Sequence, residues 1–139
     1  MLIYKMQGTG GDLDGYRPGV CNIGKNEVRK RYSTAFVGFI VAGLLVGAIA
    51  LYSLPRLLLL LSFVPLFLGA EGFYQGHFRF CAGFAARSKY DFSGSSDEKG
   101  IVTDEGAHNL DMRKAMRINL YSAATAAVLA IAIYLAVTV

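Results

Sequence analysis

The 139-residue chain has no tryptophan, only two cysteines and two histidines, and three prolines. So few thiols and imidazoles leave no paired Cys-x-x-Cys spacing for a structural zinc site and no zincin-type helix. A nucleotide-binding glycine loop and a haem-attachment motif are also missing, and no nucleophile stands at a recognisable spacing from a base, so catalysis is not expected. The scarcity that decides most is that of charge. Ser33–Tyr52 and Ile118–Val139 carry none, and Leu57–Phe78 carries only Glu71. Roughly 20 apolar residues suffice to cross about 30 Å of hydrocarbon as a helix. With 54% hydrophobic residues, the chain reads as an all-α integral membrane protein, with three transmembrane helices and a short interfacial N-terminal helix.

The cations that remain are clustered. Lys25, Arg29, Lys30 and Arg31 precede the first apolar stretch; Arg79, Arg87 and Lys89 follow the second; Arg113, Lys114 and Arg117 precede the third. The connection between the first two stretches holds only Arg56. By the positive-inside rule this places the N-terminus in the cytoplasm and the C-terminus outside a plasma or inner membrane. The net charge of +4 then belongs to the bilayer: Arg29, Lys30, Arg31, Arg113, Lys114 and Arg117 are expected to contact anionic lipid headgroups, and no nucleic-acid partner is needed. The first nineteen residues contain no apolar core, so no signal peptide is expected among them.

Composition divides the chain into four parts. Residues 1–20, with turn formers Asp12, Asp14, Gly15 and Pro18, read as a flexible cytoplasmic tail. Residues 21–90 hold an interfacial helix, capped by Asn22, and a two-helix membrane hairpin. Residues 91–102 are polar and rich in Ser and Gly, and read as a cytoplasmic linker. Residues 103–139 form an amphipathic lead-in, capped by Thr103, and the third span. Gly38, Gly43 and Gly47 mark the first span as a packing surface, the last two at the small-xxx-small spacing that lets helices approach closely. That spacing does not say whether the partner is another span or a second copy. Pro55 fits the first turn of span two, where its missing N–H is harmless.

Cys21, His77, Cys81 and His108 all fall on the basic side of the spans and form the candidate thiol or metal site. His77 and Cys81, four residues apart on a continuing helix, would share a face, and the donor set would suit zinc or another thiophilic metal. The plainer reading makes Cys81 a small packing residue, His77 an interfacial aromatic and His108 a solvated side chain, with no cofactor. Glu71 is the only acid inside a span, and so a candidate for proton or ion handling. Its plainer role is an ion pair with Arg29 or Lys30, or simple snorkelling to the interface.

The run CNIGKNEVRKR followed by an apolar span, with a second span ending in GHFRFCAGF, is similar to the small YgaP-like inner-membrane transmembrane domain family. Asn22, Gly24, Glu27, Arg29 and Cys81 carry the resemblance, which covers about residues 21–90. Glu27-Val28-Arg29 and Cys81-Ala82 stand where that family has Asp-Arg and Cys-Pro, and the third span has no counterpart. The resemblance implies a dimerising membrane module, in that family sometimes joined to a rhodanese domain. Three spans with little soluble mass, small-residue stripes and no catalytic constellation make the expected function that of a small non-enzymatic membrane scaffold, accessory subunit or dimerising module, present as a homo-oligomer or within a larger membrane complex. The alternative is a cytoplasmic-face thiol or metal site handling sulfur, a thiophilic metal or redox equivalents. Flux through an oligomeric pore sensed by Glu71 is a third.

Overall fold

A computed structural model describes residues 15–138. Three of its helical stretches are long and apolar enough to cross a membrane, as the charge pattern predicts. Helix α1 spans Lys25–Leu51, α2 Phe63–Phe78, α3 Ala82–Ala86 and α4 Glu105–Thr138, while strands β1 (Lys89–Asp91) and β2 (Lys99–Ile101) form a small antiparallel hairpin.

Helix α1 starts after Gly24, whose extended backbone ends the preceding strand-like segment, and it places Glu27 in the first turn, where the helix dipole favours an anion. The interfacial helix expected before span one is the beginning of this same helix. Asn22 does not cap it. After Tyr52 the chain reverses through Ser53, whose φ of 51° lies in the left-handed region.

Span two opens as a 3-10 helix, Arg56–Ser62, with Pro55 at its N-cap, and becomes α2 at Phe63. Only fourteen uncharged residues separate Arg56 from Glu71, too few at about 1.5 Å each to cross the hydrocarbon. A 3-10 turn rises about 2.0 Å per residue, so the opening segment lengthens the span, and the helix passes Glu71 to supply the rest. It ends where Arg79 takes up φ 52°, with the Phe80 amide donating to the Gln75 carbonyl at 2.9 Å, a closure of the Schellman type.

Small residues bring the spans together. A Cβ on Gly38 would lie 2.6 Å from the Gly69 nitrogen, and one on Gly72 would lie 2.6 Å from the Arg31 carbonyl oxygen, so α1 and α2 meet backbone to backbone. Helix α4 closes the bundle with an unbroken buried stripe: Ala107, Asp111, Ala115, Ile118, Ser122, Ala126 and Ala130 recur every three or four residues, as one helical face requires. Ala126 and Ala130 pack on Ala42 and Leu66. At the basic end, Ala115 and Ile118 pack on Phe80 and Ala85.

Two stretches expected to be mobile are folded. The linker 91–102 contributes to the hairpin, with Tyr90 opposite Gly100 and Asp91 opposite Lys99, and Phe92 is fully buried. That burial anchors a sequence whose Ser and Gly content reads as solvent-exposed. Of the tail 1–20, residues 1–14 lie outside the described residues, while 15–20 dock on α4 through Tyr16 and Gly19. Asp104, not Thr103, caps α4: its carboxylate accepts from the Ala107 amide at 2.8 Å.

Candidate functional site

The polar groups gather at two levels of the bundle. The outer level is a cap, beyond the apolar stretches at their basic end, where Cys21–Gly24 is stitched between two other segments. The Asn22 and Ile23 amides donate to the Arg79 carbonyl, the Gly24 amide donates to Asp91, and the Asp91 amide returns a bond to the Asn22 carbonyl. Gly24 is required here, since its Cβ would sit 2.7 Å from Phe92 Cα.

Asn22 is fully buried, and its side chain clamps one backbone unit. Oδ1 accepts from the Cys81 amide at 2.6 Å, and Nδ2 donates to the Cys81 carbonyl at 3.0 Å. Only an amide supplies a donor and an acceptor in this fixed pairing. Asp111 plays the same part for the segment before Cys21: Tyr16 donates its hydroxyl at 2.6 Å and Gly19 its amide at 2.7 Å, so this fully buried carboxylate is satisfied by hydrogen bonds. Burial first, and then the Asp111 contact, push the Tyr16 hydroxyl well above its usual pKa. Tyr16 stacks on Tyr90 with centroids 4.9 Å apart, tying the segment to the hairpin.

The four sulfur and imidazole candidates do not form one donor set. Helix α2 ends at Phe78, so Cys81 is not on the same helix as His77; it precedes α3 instead. His77 is exposed and stacks on Phe73, while His108 meets the Ser88 hydroxyl through Nδ1 at 2.9 Å. Among the described residues, no three His, Cys, Asp or Glu side chains are arranged to hold a metal ion. Both thiols are free and buried. Cys21 donates to the Gly15 carbonyl at 3.2 Å, and burial raises its pKa against the opposing pull of Arg17 and Arg79.

A raised thiol pKa contributes stability that is complete below the usual value of about 8.5 and is lost as pH rises through the higher folded value. The thiolate is the reactive species, so Cys21 should react with maleimide at pH 7.5 at least about tenfold more slowly in the folded protein than after unfolding in dodecyl sulfate. Equal rates would show that this thiol is exposed. Thiolate chemistry at Cys21 is disfavoured by the same burial.

The inner level surrounds Glu71. Among the described residues, the ion pair expected with Arg29 or Lys30 is not formed; Glu27 takes Lys30 at 2.8 Å and Arg31 at 3.4 Å. Glu71 accepts instead from Gln75 Nε2 at 2.6 Å. With the Asn119 amide nitrogen facing it, Glu71 accepts a second bond at 2.7 Å from α4. Tyr74 and Thr125 make a parallel tie of 2.7 Å between the same helices. Neutral amides thus hold the carboxylate, and its role in this geometry is to join α2 to α4.

Of the glycines read as a packing surface, Gly38 packs within the chain and the other two do not. Among the described residues, a Cβ at Gly43 or Gly47 meets no neighbouring atom within 4 Å. At about 100° per residue, these two share a face with Phe36 and Ile40, both exposed, and lie opposite buried Gly38, Ala42 and Ile49.

Of the expected lipid contacts, Arg29, Lys30, Arg113 and Arg117 are exposed, Arg31 turns inward to Glu27, and Lys114 lies 4.2 Å from the centre of the Phe78 ring. Asn22 as a clamp, Asp111, Tyr16 and Asn119 escaped the sequence reading. Asp111 had a signal: it is the one acid at a position of the α4 small-residue stripe. Compared with known proteins, the chain matches no family model, no curated protein and no solved structure.

Proposed function

We propose that this protein is a non-enzymatic membrane module that associates with a second copy of itself through the outward face of α1. The observation that carries the reading is the pair Gly43 and Gly47, open to the surroundings on the side away from α2 and α4. In lipid, a face of small residues gains close backbone contact only from another helix. The glycines at the α1–α2 seam are already engaged, so this pair is left for a partner.

The resemblance at Asn22, Gly24, Glu27, Arg29 and Cys81 to the YgaP-like family, with its dimerising module, supports the same reading. So do the buried thiols and the hydrogen-bonded carboxylates of Glu71 and Asp111, which hold structure together. The distribution of Lys and Arg supports an orientation with the folded cap in the cytoplasm and the C-terminus outside, its exposed arginines meeting anionic headgroups.

Energy transfer between labelled copies, diluted stepwise in lipid vesicles, tests the proposal. The double variant Gly43→Ile/Gly47→Ile should weaken self-association at least tenfold, about 1.4 kcal/mol, while helical content stays unchanged. Association as strong as that of the unsubstituted protein would overturn it.

A further inference from the structure

The α1–α2 seam carries a second feature on a different face. Near the start of the α1 apolar stretch, an open cavity of about 570 Å³ is lined by Arg29, Lys30, Ser33 and Lys99, together with the carboxylates of Glu27 and Asp91. Directly below it runs a groove of about 350 Å³, lined by Val37, Val41, Leu68, Gly38 and Pro65. Ser33 lines both, so the two adjoin. Ser33 also lies two residues past Arg31, the last charge before the apolar stretch of α1, at the depth where headgroups give way to hydrocarbon.

We infer that this seam is a binding site for a single anionic glycerophospholipid, with its phosphodiester in the cavity and an acyl chain in the groove. Charge selects the ligand. Three cations against two carboxylates leave one positive charge in the lining, which complements the one negative charge of a phosphodiester. Glu27 holds Lys30 at 2.8 Å. Asp91 is kept ionised against its burial by the Ser93 hydroxyl and amide, with help from Lys99 and Lys30. Glu27 therefore engages Lys30 as well as reducing the net charge, leaving Arg29 and Lys99 as the principal phosphate contacts.

Shape selects the rest. The groove has almost no polar lining beyond Ser33 and Thr34, and its floor exists because Gly38 brings α1 against Gly69 and Pro65. Both volumes fall in the range of about 300–1,000 Å³ occupied by small-molecule sites. A soluble anion would fill the cavity but leave the groove empty. A lipid fills both, which general headgroup attraction at scattered arginines does not achieve.

The test is native mass spectrometry of the full chain, delipidated and then titrated with dioleoylphosphatidylglycerol or dioleoylphosphatidylcholine. One phosphatidylglycerol should be retained per chain, at least tenfold more tightly than phosphatidylcholine. Arg29→Gln/Lys99→Gln should abolish that preference, and Val41→Trp, which plugs the groove with all charges intact, should weaken phosphatidylglycerol binding at least tenfold. Equal retention of the two lipids, undiminished binding by either variant, or full displacement by glycerol 3-phosphate alone would overturn the proposal. Should a variant lose its helical content, the comparison of the two lipids on the unsubstituted chain decides.

Discussion

Alanine at Gly38 or Gly72 is expected to destabilise the bundle by about 2 kcal/mol or more at each position, in the upper part of the range for overpacked cores. The same change at Gly43 should cost nothing. Intrinsic helix propensity predicts the opposite sign at positions 38 and 72, since alanine is favoured over glycine by about 1 kcal/mol. The packing outweighs it because the added methyls meet main chain: 2.6 Å from the Gly69 nitrogen and 2.9 Å from the Pro65 carbonyl at position 38, and 2.6 Å from the Arg31 carbonyl at position 72. A main chain cannot rotate away as a flexible side chain does, so α1 and α2 must separate. Unfolding in detergent, followed by circular dichroism against dodecyl sulfate, measures all three. Equal midpoints for Gly38→Ala and Gly43→Ala would show that the seam is not packed as described.

The second large effect is expected at Asn22. Its replacement by alanine removes both side-chain bonds to the Cys81 peptide, and the buried Cys81 amide is left without this acceptor at a cost of about 1–3 kcal/mol. Asn22→Asp should be at least as damaging: it keeps an acceptor for the amide but loses the donor to the carbonyl and puts a charge where the side chain is fully buried. A reading of Asn22 as a helix cap predicts the reverse order, because aspartate caps as well as asparagine does. Hydrogen exchange at the Cys81 amide reports the clamp directly and should accelerate in both variants, alongside the loss of stability.

The contrast between Asn22 and the spans shows what this sequence makes legible. Three apolar stretches are visible because lipid tolerates only apolar helices of a certain length, and that constraint acts locally on the chain. The passage of span two beyond Glu71 follows from the same arithmetic. The cap depends instead on distant pairs. Asn22 meets Cys81 across 59 positions and Tyr16 meets Asp111 across 95, and nothing at position 22 or 16 alone reveals the partner.

The hairpin was hidden for a related reason: its Ser and Gly content describes a solvated loop, while the single buried Phe92 fixes it to the cap. Cys21, His77, Cys81 and His108 all fall at the basic end of the apolar stretches in the sequence. A shared side is not shared geometry, and the left-handed turn at Arg79 carries Cys81 away from the helix that holds His77. The Gly43 and Gly47 spacing was visible as a packing face, but only the fold distinguishes it from Gly38, which is already covered.

Cysteine cross-linking along α1 in native membranes reads that uncovered face most directly. With Cys21→Ala and Cys81→Ala as background, single cysteines are placed at Val37, Ile40, Val41, Gly43 and Gly47 and oxidised. Self-association through the outward face predicts covalent dimers for Ile40→Cys, Gly43→Cys and Gly47→Cys, and few for Val37→Cys and Val41→Cys. Dimers in equal yield at all five positions, or at none, would contradict it.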